Sequence, residues 1–330
     1  MAMMRAAQYD RYGPPDVLYE GKVAVPRPRP GQLLVRVQAT SVNGGELSAR
    51  AGKLRLLTGK RFPKGIGLDF VGEVADPGSG DSGLLAGDRV WGTLPRTAEV
   101  GSRSGAAAEY LAVDADRVSR APAGLTPVEA ASLVVAVVPI IGLRDKAHLV
   151  RGERLLVRGA SGGTGSLAVQ VGKAMGAHVT GLAGPANLDF VRGLGADEVV
   201  SYRTAGPADL GSFDVVFDTV GTDLAAFRRL LTPGGRMVAI SFDLEHIARS
   251  LGSIAASAVH GSRRVRFFSG NPKRELLAEV TRLAENGQLR PVVDGVHPLS
   301  AIAEAHRAVE AGGVRGKHII DVDGSGQAAP

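Results

Sequence analysis

Three observations predict an α/β fold in which a doubly wound parallel sheet is set within a β-rich module. The stretch from Leu155 to Gly176 runs from an apolar strand (Leu155, Leu156, Val157) through a glycine-rich turn, Gly159 to Gly165. It continues into a segment with Leu167, Ala168, Val171, Ala174 and Met175 at spacings of three and four, the period of a helix. Downstream, strand-like and helical segments keep alternating, as a parallel sheet with helices on both faces requires. Residues 1 to about 122 lack that alternation and carry short apolar runs between glycine and proline turns, the pattern of a compact barrel.

In the first region the strand candidates are Gly21–Val25, Leu33–Ala39, Phe70–Val74 and Arg89–Trp91. Turn signals such as Pro28-Arg29-Pro30-Gly31 and Asp76-Pro77-Gly78 separate them. Pro95–Gly105 has no period and reads as a loop. Thr126 is placed to cap a helix whose first turn holds Pro127 and Glu129. The sheet strands that follow Leu155–Val157 are expected at His178–Leu182, Glu198–Tyr202, Phe213–Val216, Met237–Ser241 and Val265–Phe268, with a helix at Asp223–Leu231. Lys273–Glu285 and Leu299–Ala311 read as helices, and Lys317–Val322 as a last strand returning to the first module. Gly324–Pro330 reads as a small polar tail.

Composition sets bounds on function. At 330 residues, 44% hydrophobic and 22% charged, the chain has the makeup of a two-domain globule. The run Ala130–Leu143 falls short of the roughly 20 apolar residues that cross a bilayer and is expected in a core. The N-terminal residues lack the apolar centre of a signal peptide, so a cytoplasmic location is expected. With no cysteine and seven scattered histidines, no dedicated metal site is expected. A net charge of +6 raises nucleic acid as a partner, but the basic residues are dispersed. Their densest group, Arg263, Arg264 and Arg266, fits a solvated face or attraction of a phosphorylated cofactor better.

The glycine turn carries the cofactor reading. Ala160, Gly162 and Gly165 occupy the three small-residue positions of a dinucleotide fingerprint, where the turn must be tight and the backbone must approach a pyrophosphate. A plain tight turn is the alternative, and the strand–helix context favours the fingerprint. This middle region is thus a Rossmann domain. No acidic residue lies between Ser166 and Leu188, where NAD-specific folds place the ribose-binding carboxylate, so NADPH is expected. Asn187, Tyr202 and Arg203, with Gly184, are the nearest candidates for a 2′-phosphate pocket.

The order of barrel, Rossmann domain and return resembles the zinc-independent medium-chain dehydrogenase/reductases, the quinone oxidoreductases and enone reductases. The resemblance rests on Gly159-Ala160-Ser161-Gly162-Gly163-Thr164-Gly165, on Ser41-Val42-Asn43, on the run Gly52 to Gly59 and on Gly67-Leu68-Asp69-Phe70-Val71-Gly72. It extends through Ala86 to Gly92, Leu194-Gly195-Ala196-Asp197, Phe217-Asp218-Thr219-Val220-Gly221, Thr232 to Arg236 and Gly316-Lys317. It implies a GroES-like β-barrel catalytic domain (1–122 and 264–330), a Rossmann domain (123–263) and a site in the cleft between them. It also implies NADPH-dependent, metal-free hydride transfer to a quinone or an activated double bond.

On the resemblance, Asn43 would donate to an oxyanion beside the nicotinamide, a plain turn before Gly44-Gly45 being the alternative. Glu46 and Ser48 would line the same cleft or lie on the surface. Tyr9, Tyr12, Tyr19, Tyr110 and Tyr202 are undistinguished phenol donors. The cofactor would touch Ala160 to Gly165, Gly184, Asn187, Tyr202, Arg203, Val220, Gly221, Ser241, Phe268 and Lys317. A strand near Val265 would pair across the axis of a homodimer, so His260 and its arginines mark an interface or a solvated loop.

The chain departs from the family where chemistry occurs. Asn43 is followed by Gly44-Gly45, and Leu133 to Gly142 lacks the threonine that borders the nicotinamide in relatives. A biosynthetic enzyme performing a non-redox cyclisation, isomerisation or elimination is therefore one rival reading. A non-catalytic NADPH or RNA binder is the other.

Overall fold

The structure, a computed structural model, describes residues 1–95, 105–241, 265–268 and 272–324. Most of the expected 95–105 loop, His260, Arg263, Arg264 and the tail beyond Gly324 lie outside the described residues.

The chain starts with β1 (Met3–Tyr9), β2 (Leu18–Ala24) and β3 (Gln32–Ser41). The short helices α1 (Gly44–Arg50) and α2 (Arg55–Thr58) follow, then β4 (Lys64–Gly65), β5 (Asp69–Asp76), β6 (Arg89–Thr93), β7 (Tyr110–Asp114) and β8 (Val118–Arg120). Thr126 caps α3 (Pro127–Leu133) through a reciprocal bond with Glu129, as its sequence predicts. The second body holds α4 (Val137–Ile140), β9 (Arg154–Arg158), α5 (Gly163–Ala174), β10 (His178–Ala183) and α6 (Leu188–Gly193). It continues with β11 (Glu198–Ser201), β12 (Phe213–Asp218), α7 (Leu224–Arg228), β13 (Leu231–Ala239) and β14 (Val265–Phe267). The helix Arg274–Glu285, β15 (Val293–Pro298), the helix Ile302–Glu310 and β16 (Lys317–Asp321) complete the first body.

Unit 1 comprises Met1–Val134 and Asn271–Pro330, and unit 2 Val135–Gly270. The expected boundaries at 122/123 and 263/264 therefore move. Helix α3 packs on β3, β5 and β16, and β14 pairs with β13 in the parallel sheet. Unit 1 contains a three-stranded sheet, β2-β1-β4, and a seven-stranded one, β15-β16-β3-β5-β6-β8 with β7 on β3. On β3, Leu33, Val35 and Val37 point inward and alternate with less buried Gln32, Leu34 and Arg36. They meet Phe70, Val74, Val90, Ile302 and Ile320 in the core. β16 lies antiparallel on the Ala39–Ser41 end of β3, the predicted return to the first module.

Unit 2 is the expected doubly wound sheet, all parallel, in the order β11-β10-β9-β12-β13-β14. The chain reverses direction across the sheet between β9 and β12, and the strand ends there form the crevice where such folds bind ligands. Two local expectations change. The strand expected at 237–241 begins at Leu231, which shortens the preceding helix. Helical structure also runs unbroken from Pro127 to Lys146, 20 residues long and apolar enough to cross a membrane by length and composition. Of its most apolar window, 72% is buried within the protein, the setting of a core helix.

Candidate functional site

In unit 1 the sequence turns sharply after β3. Asn43, in extended conformation, is the N-cap residue of α1, but its side chain does not cap the helix. Its amide nitrogen donates to Glu46 Oε1 at 3.0 Å, Asp69 Oδ2 at 2.9 Å and the Ser41 carbonyl at 3.3 Å. Its Oδ1 accepts from Lys317 Nζ at 2.7 Å. The amide hydrogens needed for an oxyanion role are thus spent on the protein's own acceptors, and Asn43 acts as a bridge.

Lys317 also departs from its expected role toward the cofactor. It is fully enclosed in unit 1, its Nζ donating to the Val42 carbonyl at 2.9 Å as well as to Asn43. Burial pushes its ammonium below the usual lysine range, and the Asp69 and Glu46 carboxylates oppose that shift. Ser41 Oγ donates to Asp69 Oδ2 at 2.7 Å and completes the cluster.

Glu46 is buried and shares a face of α1 with Ala49 and Arg50, three and four residues on. Ser48, two residues on, points elsewhere, so the structure does not bring it to Glu46. Glu46 lines a partly open pocket, whose roughly 370 Å³ of non-atom space includes open solvent. Among the described residues Tyr9, Ala49, Ile66, Leu68 and Leu94 supply its other side-chain walls. Of the five tyrosines, Tyr9 is the one that reaches it.

In unit 2 the predicted cofactor residues gather at the carboxyl ends of the strands. The sharp turn falls on Gly159, with φ +71°, one residue before the fingerprint's first small position. This explains why Ala160 is tolerated there: it is buried below the turn. Gly165 is demanded by space, since a Cβ on it would sit 2.0 Å from the Gly159 carbonyl oxygen. Gly162 caps α5 without a side chain, leaving the first-turn N–H groups of Gly163 and Thr164 for an anion. The cradle fits a dinucleotide pyrophosphate.

Beside it, Asn187 donates to Ser161 Oγ at 3.1 Å. Tyr202 stands over Gly184, and both Tyr202 and Arg203 are exposed. No carboxylate occupies the end of β10. Ser241 ends the described part of the segment after β13. Phe268 differs from its expected role: its side chain is buried, packed with Phe217 against Gly142, where a Cβ would meet both rings.

Sequence reasoning overlooked the group beneath the crevice. Arg158 and Asp218 are direct partners across β9 and β12, joined at 2.7 Å and almost wholly buried. Asp218 Oδ1 accepts from the Val220 and Gly221 N–H groups, and Arg158 donates to the Thr222 carbonyl and stacks on Phe227. Burial drives the Asp218 carboxyl up and the Arg158 guanidinium down, and their attraction opposes both shifts. The available signal was an opposite charge closing each of two apolar strand runs.

Comparison with known proteins agrees with both halves. Residues 29–123 match the alcohol dehydrogenase GroES-like domain, and residues 194–320 match a family described as zinc-binding dehydrogenase. The chain is 32% identical to the chloroplastic quinone-oxidoreductase homolog of Spinacia oleracea, over 97% of this chain and 98% of that one. It is 30% identical to the chloroplastic NADPH-dependent alkenal/one oxidoreductase of Arabidopsis thaliana, over 96% and 79%. The quinone oxidoreductase structure from Coxiella burnetii superposes with a TM-score of 0.86 at 28% identity, covering 97% of this chain and all of the other.

The described residues do not fit a zinc ion. The chain has no cysteine, no three His, Asp or Glu side chains cluster for a metal among the described residues, and a lysine already sits with Glu46 and Asp69. With its GroES-like and Rossmann modules and its near full-length kinship to quinone oxidoreductases, the chain belongs to the medium-chain dehydrogenase/reductase family of nicotinamide-dependent oxidoreductases.

Proposed function

We propose that the protein is an NADPH-dependent, metal-free reductase acting on a quinone or an α,β-unsaturated carbonyl compound. The observation that carries this reading is the strand-end crevice of unit 2. There the glycine cradle lies beside an end of β10 that bears no carboxylate and is flanked by exposed Tyr202 and Arg203. A ribose carboxylate would repel a 2′-phosphate, and an arginine attracts it. The Arabidopsis relative whose name specifies NADPH and alkenals supports the same choice.

The α5 N-terminus and the Gly159–Gly165 turn would hold the pyrophosphate, and Asn187, Tyr202 and Arg203 the adenosine phosphate. When bound, the nicotinamide supplies a hydride equivalent. The chain's own residues do the rest. The apolar walls of the Glu46 pocket would face a flat conjugated substrate; among the described lining residues the Tyr9 hydroxyl is able to donate a proton and the Glu46 carboxylate to accept one. We further infer a cytoplasmic homodimer, consistent with the expectation from sequence.

NADPH is expected to bind more tightly than NADH by nicotinamide fluorescence. Its oxidation should be supported by an enone panel, with deuteride appearing at the β-carbon, and turnover should survive EDTA. Tight cofactor binding without oxidation by any enone or quinone would overturn the reductase reading in favour of a non-redox reaction. Equal affinity for NADH would overturn the phosphate assignment.

A further inference from the structure

Glu46 and Asp69 are both buried and both accept hydrogen bonds from one amide nitrogen, that of Asn43, at 3.0 and 2.9 Å. Two carboxylates drawn together in this way repel each other, and such a pair ordinarily retains a proton or binds a metal ion. Here the countercharge comes from β16. Lys317 Nζ grips the other end of the same amide at 2.7 Å and anchors itself on the Val42 carbonyl at 2.9 Å. A cation at the amide oxygen and anions at its nitrogen both favour the charge-separated form of the amide. Each hydrogen bond therefore strengthens the others.

We propose that Lys317 is the fixed internal cation of the Glu46 pocket, a positioning residue that keeps Glu46 and Asp69 ionised together and their side chains in register. Other titratable groups on elements packed against β16 are engaged elsewhere. Glu129 is held in the Thr126 cap, and Asp294 and His297 lie on β15 against His318. His306, in the helix Ile302–Glu310, lies near Arg50. The charges acting on Lys317 are those of Asp69 and Glu46.

The pocket's place in catalysis rests on the proposed function, but the role of Lys317 has a test that needs no turnover. Urea unfolding of the full chain, Lys317→Met and the double variant Lys317→Met/Asp69→Asn is followed from pH 5.5 to 8.5. In Lys317→Met the pair lacks its cation, so one of the two carboxyls should keep a proton in the folded state that it releases on unfolding. A carboxyl whose folded-state proton affinity is raised stabilises at low pH and loses that contribution as pH rises. The variant should therefore become steadily less stable than wild type toward pH 8.5. The double variant removes the surplus carboxylate, so it should lose the pH slope and be more stable than the single variant at pH 8.5. It also covers the case in which Lys317→Met does not fold at alkaline pH.

A wild-type slope in Lys317→Met, or a double variant no more stable than the single one at pH 8.5, would overturn the proposal. Where wild-type turnover is found, Lys317→Ala should regain activity with methylammonium and fail to do so with tetramethylammonium, which has no N–H to donate. Equal response to both ions would also overturn it. If no reductase activity is found at all, the reading in the preceding section fails while the unfolding result still decides this one.

Discussion

Arg158 and Asp218 show how one buried pair serves the crevice above it. The carboxylate takes two backbone N–H groups of the loop after β12 on one oxygen and the guanidinium on the other. Removing one member strands the other in a low-dielectric interior, whereas replacing both by neutral groups removes the desolvation cost as well. Arg158→Met is therefore expected to cost about 3–5 kcal/mol of unfolding free energy. Adding Asp218→Asn should recover most of this, because the amide oxygen still accepts from Val220 and Gly221. Urea unfolding of the two variants measures the difference, and a double variant weaker than the single one would refute the account.

At the scale of elements, the strand–turn–helix from β9 to α5 depends on two glycines in different ways. A methyl group on Gly165 would collide with the Gly159 carbonyl at 2.0 Å, whereas one on Gly162 meets the same oxygen at an ordinary 3.6 Å. Gly165→Ala is expected to cost about 1–3 kcal/mol by forced backbone shifts. It should also weaken nicotinamide cofactor binding by roughly tenfold or more, as a loss of about 1.4 kcal/mol implies. Gly162→Ala should leave stability within about 0.5 kcal/mol of wild type. Thermal unfolding and cofactor titration on the two proteins separate the cases, and equal losses would contradict the geometry.

This element was the most legible part of the chain. Its strands are buried on both faces, so they read as continuous apolar runs, and its glycines are fixed by local backbone contacts. The strands β1, β8 and β15 were not legible. Met3–Tyr9 has no β-branched residue and Val293–Pro298 carries Asp, Gly and Pro, so their extended form is imposed by pairing partners. The Asn43 cluster was half visible. Asn43 and Glu46 are neighbours in sequence, but Asp69 and Lys317 reach them from β5 and β16, and no spacing rule records that.

For the whole molecule, acid stability is expected to depend on His306. It is fully buried, neither ring nitrogen has a hydrogen-bond partner among the described residues, and burial with nearby Arg50 holds its pKa at about 3. The folded state keeps the ring neutral while the unfolded chain takes up a proton below its ordinary pKa of 6.5. Stability is therefore complete above that value and declines as pH falls from about 6.5 toward about 3, at up to about 1.4 kcal/mol per pH unit. His306→Leu should remove this slope and be the more stable protein at pH 5, by about 2 kcal/mol relative to its own difference at pH 7.5. Parallel pH dependences in the two proteins would show that His306 is not the responsible group.

The bridge between Asn43 and Lys317 spans 274 residues of sequence, and the whole of unit 2 lies inside that span. At the ribosome's pace of about 5–20 residues per second, roughly 14–55 s separate the emergence of the two ends. Throughout that interval Glu46 and Asp69 are without their ammonium, and the Ala39–Ser41 end of β3 has no β16 beside it. Unit 2 is a single uninterrupted stretch and is free to close as soon as it clears the exit tunnel. The nascent chain thus carries a finished dinucleotide-binding body tethered to an unfinished first one, and that first body is the part exposed to chaperones and proteases during synthesis.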